Sequence, residues 1–439
     1  MSHLEAPETE APAPTPAPAP LATPAAVPVA PAGVGGAGAA LPGAAADFPA
    51  GLREELIAFR RDLHAHPELG NQEFRTTGAI KARLEEAGLH PRVLKGGTGL
   101  VCDIGEWDGG RPMLALRADI DALPIPDTKV TAAYRSTVPG RAHACGHDVH
   151  TTVVLGTGLV LADLAARGLL PRPVRLVFQP AEEVLPGGAA DAVREGVLEH
   201  VGRILAVHCD PKVDAGRIGL RHGPITSACD SLKVSLDGPG GHTARPHLTT
   251  DLVTAVAKVA TEVPALVGRR VDTRAGLAIT WGRIESGHAT NVIPQHAELA
   301  GTVRCLDQRT WETAPDAVYA AIDEVAALYG AKTQITYVRG VPPVVNEASA
   351  ADLLRDAMTA RHGAESVEST EQSLGGEDFS WYLQHVPGAM ARLGVRTPGD
   401  RLARDLHQGD FDVDESAITV GVELFTAAAL LDAAGDRAS

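Results

Sequence analysis

The sequence predicts an α/β protein, a mixed-sheet domain interrupted by an inserted α+β domain of ferredoxin-like order, and three observations carry that expectation. Short apolar runs at 100–104, 113–116, 174–178 and 204–207 have the length and continuity of buried strands. Helical patterns over 151–166 and 189–195 fall between the later runs, and alternation of strand with helix builds a sheet covered by helices on both faces. From about Cys229 the order changes to β-α-β-β-α-β, the ferredoxin-like pattern, and the α/β pattern resumes afterwards.

Taken in order, residues 1–47 are Ala, Pro and Gly with a few acids, and the first Lys or Arg is Arg53. A secretory signal needs a basic start and a transit peptide needs arginines, so neither is expected. Pro-Ala repeats favour extended, solvated backbone, and this segment is expected to be disordered. The first part of the α/β domain spans 48–228. Leu52, Leu56, Phe59 and Leu63 mark one face of a helix ending at His66-Pro67. A second helix runs from 76 to 87 and stops at Gly88, a C-cap position. The inserted domain spans 229–338, with strands at 232–236, 277–284, 297–304 and 333–337 and helices at 250–267 and 310–329. The second part of the α/β domain, 339–435, holds a helix at 349–362, a Gly375-Gly376-Glu377-Asp378-Phe379 turn, a strand at 389–393 and a closing helix after Asp414.

Composition narrows the partners. Against 39 basic residues stand 55 acidic ones, a net charge of −16, which disfavours nucleic acid and anionic membrane surfaces. No run of eighteen uncharged apolar residues suggests a transmembrane helix. Five cysteines, an odd number at wide spacings, argue against a disulfide framework and for a reduced, cytoplasmic setting in which Cys145 stays free.

The chemistry concentrates in Arg141-Ala142-His143-Ala144-Cys145-Gly146-His147-Asp148-Val149-His150, with Phe178-Gln179-Pro180-Ala181-Glu182-Glu183 some thirty residues on. Sulfur, imidazole and carboxylate donors together suit a divalent transition metal, with one carboxylate left over as a base. Asp119 and Asp121, the Glu182-Glu183 pair, and His208 each follow a predicted strand. Open α/β sheets gather ligands at the carboxyl ends of their strands, so three strand ends should converge on one site.

Arg117-Ala118-Asp119-Ile120-Asp121-Ala122-Leu123-Pro124, His143-Ala144-Cys145-Gly146-His147-Asp148 and Gln179-Pro180-Ala181-Glu182-Glu183 resemble the M20 metallopeptidase family. The cysteine-containing pattern is similar to its amidohydrolase branch, which includes hippurate hydrolases, N-acyl-amino-acid amidohydrolases and indoleacetyl-amino-acid hydrolases. Further matches run in family order, among them Gly240-Gly241-His242, Asn291-Val292-Ile293-Pro294, Gly301-Thr302-Val303-Arg304, Gly376-Glu377-Asp378-Phe379 and Leu406-His407.

The resemblance implies a metal-dependent amidohydrolase that splits an N-acyl or N-aroyl amino acid with a metal-activated water. It implies two divalent ions (Zn, Mn, Co or Ni), with His147 and His208 on one, Glu183 and His407 on the other, and Cys145 shared. Glu182 is then the general base and Asp121 orients a ligand histidine. His242 stabilises the oxyanion from a partner subunit, and Asn291 and Arg304 hold the substrate carboxylate. A homodimer through the inserted domain follows. Asp119 and Glu377 receive no role; His143, His150 and Asp148 are expected as supporting or surface residues. Rival expectations are a dipeptidase or aminopeptidase of the wider family and a silent binding homologue.

Overall fold

The computed structural model describes residues 49–400 and 404–435; the Pro/Ala-rich segment 1–47 lies outside them. Two amphipathic helices open the fold, α1 (Leu52–Ala65) and α2 (Phe74–Glu86), burying Leu52, Leu56, Leu63, Ile80 and Leu84. Strands β1 (Arg92–Val93), β2 (Leu100–Ile104) and β3 (Met113–Asp119) follow, then the long α3 (His147–Ala166), β4 (Val174–Gln179), the short α4 (Ala189–Arg194), β5 (Val201–Asp214) and β6 (Ile218–Leu220). A two-residue strand β7 (Gly223–Pro224) precedes the second unit. That unit contains β8 (Ala228–Asp237), β9 (Gly241–His242), α5 (Leu252–Arg270), β10 (Ala278–Ser286), β11 (Val292–Ile293), β12 (His296–Cys305), α6 (Gln308–Ala327) and β13 (Lys332–Val341). The chain returns through β14 (Val345–Asn346), α7 (Ala348–His362), β15 (Val367–Ser369), α8 (Ser380–Leu383), β16 (Gly388–Arg396) and α9 (Ser416–Gly435). β14 pairs with β7, so the points where the chain leaves and re-enters the first unit lie side by side.

The large sheet has the order β1-β2-β4-β3-β5-β16-β6-β15 and is mixed. Its centre, β4-β3-β5-β16, is parallel, while β2 runs against β1 and β4, and β6 runs against β16 but along β15. Alternate residues of each strand serve opposite faces. Leu114, Leu116 and Ala118 of β3 join the core formed with α1, α2, α3, α7 and α9, whereas Met113 and Ala115 join the smaller core beneath α4 and α8. Helix α3 is buried on nearly every side, which is why its composition is apolar all round; it is long and apolar enough to cross a membrane but is packed inside this core. The four-stranded sheet of the second unit has the antiparallel order β10-β12-β8-β13, with α5 and α6 packed through Val256, Val259, Val263, Val318 and Ile322.

Two expectations need correction, and two short strands were not anticipated. Helix α3 begins at His147 rather than at 151, because Gly146 adopts φ 88° and turns the chain straight into the helix. The 204–207 run is the middle of a fourteen-residue strand, so His208 sits within β5 rather than past its end. β6 and β15 are only three residues long, too short to show periodicity.

Candidate metal centre

Five of the expected ligands come together where β3, β4, β5 and the start of α3 meet. Cys145, His147 and His208 form one donor group, with ligand atoms all within 4.8 Å of one another; Cys145, Glu183 and His407 form a second. Cys145 belongs to both. Its Sγ lies 3.5 Å from His208 Nε2, and His407 Nε2 lies 3.4 Å from Glu183 Oε1.

Two of the three imidazoles are oriented by the far nitrogen. His147 Nδ1 donates to the Asp121 carbonyl (2.9 Å) and approaches Asp121 Oδ1 (3.3 Å). His208 Nδ1 donates to the Cys209 carbonyl (2.8 Å). Both Nε2 lone pairs therefore face the cluster, the arrangement a metal-binding histidine requires. His147 Nε2 is buried without a hydrogen-bond partner, and a buried polar atom of that kind calls for a bound group. The donor set of sulfur, nitrogen and oxygen fits divalent transition metals. Asp121 does double duty, since its Oδ2 accepts from the Glu183 backbone N–H at 2.9 Å.

Local backbone features hold these side chains in place. His407 has φ 63° and its N–H donates to the Ala144 carbonyl, beside Cys145. Ala181 has φ 58° and its N–H donates to Glu73 Oε1. Positive φ at a non-glycine residue is strain the surroundings must over-determine, and here it flanks the donor cluster on two sides.

Electrostatics separate the two glutamates. Glu182 lies beside His147 (Oε2 to Nε2, 3.9 Å) and groups with Glu377 and Asp378. Burial, then the charges of Glu377, Glu183 and Asp378, push its carboxyl well above the usual range, which favours holding a proton. Burial opposes ionisation of Glu183 as well, but hydrogen bonding from His407 and the nearby His147 outweigh it and keep its carboxyl low. Burial also opposes a charge on His147, yet the Asp119 and Asp121 carboxylates lift it to about 10. The Cys145 thiol is pushed well up by burial and by Glu183 and Glu182, so in this acidic surrounding it needs neighbouring cations to ionise.

Behind the cluster stand two buried charge networks. Arg117 donates to Asp119 (2.7 Å), Gln179 (2.9 Å) and Asp378 (2.8 Å) and pairs with Glu377 at 3.0 Å. Asp119 also accepts from His150 Nδ1 (2.6 Å), whose Nε2 accepts from the Cys209 N–H. Asp119 and His150 are thus committed to each other, which leaves them supporting residues although they group with His147. On the other side, Arg60 and His64 each meet Asp148 Oδ2 at 2.7 Å. His143 is buried there rather than at the surface, and both its ring nitrogens lack partners.

The residues expected from the second unit stand apart. His242 is exposed in β9, its Nδ1 accepting from the Ala244 N–H. Asn291, also exposed, accepts from the Thr243 N–H through its backbone carbonyl. Arg304 donates to the Leu374 carbonyl, in the loop that leads to Glu377. Among the described residues no hydrogen bond or ion pair links these three side chains to the donor cluster. Sequence reasoning missed Arg60, Glu73 and Arg392. Arg60 was legible as a charge beside the apolar stripe of α1, and Arg392 as a charge inside an apolar strand run.

A mixed α/β sheet with a thiol-containing cluster of metal donors and a spare buried carboxylate defines a metal-dependent hydrolase. Residues 115–431 match the model of "Peptidase family M20/M25/M40". The chain belongs to this family and is an enzyme of its metal-dependent amidohydrolase type. It is 37% identical over 368 residues to the "N-acetyl-L-cysteine deacetylase" of Bacillus subtilis (strain 168), covering 84% of this chain and 85% of that protein. It is 46% identical over 379 residues, 86% of this chain, to the "Putative glutamate--cysteine ligase 2-3" of Rhodococcus jostii (strain RHA1), but spans only about half (47%) of that relative's length. A solved Bacillus subtilis structure, described as a dinuclear metal binding peptidase of the M20 family, superposes with a TM-score of 0.75 at 32% identity, covering 88% of this chain and 99% of that one.

Proposed function

We propose that this enzyme hydrolyses the amide bond of N-acyl amino acids, releasing a carboxylic acid and a free amino acid. The observation that carries the reading is the sharing of Cys145 between two donor groups with Glu182 alongside. Two similar proteins, a deacetylase and a dinuclear metal binding peptidase, support it.

On this reading Cys145, His147 and His208 hold one divalent ion, and Cys145, Glu183 and His407 hold a second. When bound, the ions supply Lewis acidity to the scissile carbonyl and to the attacking water. Asp121 keeps His147 in the tautomer that leaves Nε2 free. Glu182, made more basic by burial and by Glu377, Glu183 and Asp378, would be held as the carboxylate by the positive charge of the bound ions; it takes the proton of the attacking water and hands it to the leaving nitrogen. Arg117, Asp119 and Asp378 hold the acidic wall behind Glu182 in place. The order β8-α5-β10-β12-α6-β13 is read as the inserted ferredoxin-like domain. It presents His242 to the oxyanion in the site of a second copy, and Asn291 and Arg304 to the substrate α-carboxylate.

The test is hydrolysis of N-acetyl, N-benzoyl and indoleacetyl amino acids by metal-stripped protein and by protein loaded with Zn, Mn, Co or Ni. Amino acid release that needs metal and disappears in Glu182→Gln is the expected result. Metal binding without release from any member would overturn the reading.

A further inference from the structure

The row of the sheet that carries the donor histidine His208 also carries a buried arginine with nothing to bind. Asp119 pairs with Gln179 across β3 and β4, and continuing the register Arg117↔Ala206 by two residues sets Asp119 opposite His208. His208 in turn pairs with Arg392 of β16, and Arg392 with Gly219 of β6. Residues paired across adjacent strands point to the same face. Gln179, Asp119, His208 and Arg392 therefore form one polar row on the face of the sheet that carries His208, ending at a glycine.

Three members of that row are fully engaged. Gln179 and Asp119 are held by Arg117, and His208 by the Cys209 carbonyl and Cys145. Arg392 is 7% exposed, and among the described residues it makes no hydrogen bond and no ion pair. Asp210, Glu377 and Cys145 are near enough to act on its charge, yet none makes an ion pair or hydrogen bond with it; Asp210 accepts from the Lys212 N–H and Glu377 pairs with Arg117. Gly219 offers Arg392 no side-chain partner, and Thr370 crowds the space where one would stand: a Cβ there would lie 2.9 Å from Thr370 Cβ and 3.3 Å from Arg392 Cβ. A largely buried guanidinium with no direct ion pair is an expensive arrangement, and its planar fork matches a carboxylate in two parallel hydrogen bonds.

We propose that Arg392 determines specificity by binding a second carboxylate of the substrate, so that the enzyme favours N-acyl amino acids carrying two carboxylates. The inference rests on the amide-hydrolase reading above, which assigns the α-carboxylate to Asn291 and Arg304 on the other unit. The second carboxylate is either the side chain of an acidic amino acid or the far end of a dicarboxylic acyl group.

The experiment compares N-acetyl-alanine, N-acetyl-glutamate and N-succinyl-alanine with metal-loaded enzyme and with Arg392→Met. At least one dicarboxylate should exceed N-acetyl-alanine about tenfold in kcat/KM, and which one does so tells where the second carboxylate sits. Arg392→Met should lower that substrate about 100-fold more than N-acetyl-alanine, chiefly through KM, while Arg392→Lys recovers part of the loss. A second readout needs no turnover: glutarate should raise the thermal midpoint of the wild-type protein and not that of Arg392→Met. Without ligand, Arg392→Met should melt no lower than wild type, since it removes an unpaired buried charge. Equal losses on all three substrates, with no glutarate protection of wild type, would overturn the role of Arg392 and leave the amide reading standing. Absence of hydrolysis of all three with intact, Arg392-dependent glutarate protection would instead sink the amide reading and keep the carboxylate site.

Discussion

The donor cluster and the second unit differ in how their functional residues are held. Around Cys145 the donors other than the exposed His407 are buried or half-buried, and hydrogen bonds fix His147 to Asp121 and His208 to Cys209, while Glu182 stands beside Glu377 and Asp378. On the second unit His242 and Asn291 are exposed; His242 accepts from the Ala244 N–H, and Asn291 meets Thr243 beside the β9–β11 pair. The first region is built before substrate arrives. On the proposed function the second completes a site only by approaching another copy. Substitutions in the first should therefore disturb chemistry and folding together, and substitutions in the second should disturb chemistry alone.

The largest effect is expected at Glu182. Glu182→Gln keeps the shape and removes the base, and turnover should fall about 10³-fold or more while bound metal, measured by elemental analysis, stays at the wild-type ratio. Loss of metal along with activity would mean that Glu182 is a ligand. Next comes the network behind it. Arg117→Met would leave Asp119, Glu377 and Asp378 buried without their cation, a loss of about 3–5 kcal/mol in urea unfolding. A drop below about 1 kcal/mol would show that the acidic wall sheds its charge by taking up protons instead.

His242→Ala sharpens the contrast. Removing an oxyanion donor should lower kcat about 10²-fold, while an exposed residue of this kind should leave unfolding within about 0.5 kcal/mol of wild type. Mixing His242→Ala with Glu182→Gln subunits should restore part of the activity if His242 serves a second copy. No recovery, with subunit exchange shown independently, would place His242 in its own site.

The donor cluster was legible because its residues crowd into short motifs. Cys145 and His147 are two positions apart, and Glu182 and Glu183 are adjacent, so spacing alone reveals them. The long elements of both units were legible too, because period-2 and period-3.6 patterns survive over ten or more residues. What stayed hidden depends on pairing between distant strands. Arg392 meets His208 only through the β5–β16 register, 184 residues away in sequence, and nothing local in the run 388–396 signals which neighbour it gains. Glu73 precedes α2 in a position typical of a helix-start acid, and its burial against Ala181 comes from a loop more than a hundred residues on. The three-residue strands β6 and β15 carry too few residues for any pattern.

The smallest effect concerns that Glu73, which lies at the edge of the donor cluster and shares its buried character without donating to it. Burial, with the Asp121 charge nearby, lifts its carboxyl to about 7 in the folded protein against 4.5 when exposed. The sign follows from proton counting. Between pH 4.5 and 7 the folded state holds a proton at Glu73 that the unfolded state has released, so stability declines as pH rises through this window. Its contribution is full below pH 4.5 and gone above pH 7. Glu73→Gln cannot titrate, so the difference in unfolding free energy between variant and wild type should grow by about 2 kcal/mol from pH 4.5 to 7, in favour of the variant. Urea titrations at four pH values would measure it. A difference independent of pH would mean that the Ala181 N–H, donating to Glu73 Oε1 at 2.8 Å, keeps this carboxylate charged, and the fixed polar surroundings of the donor cluster would then extend one residue further than the contrast drawn above.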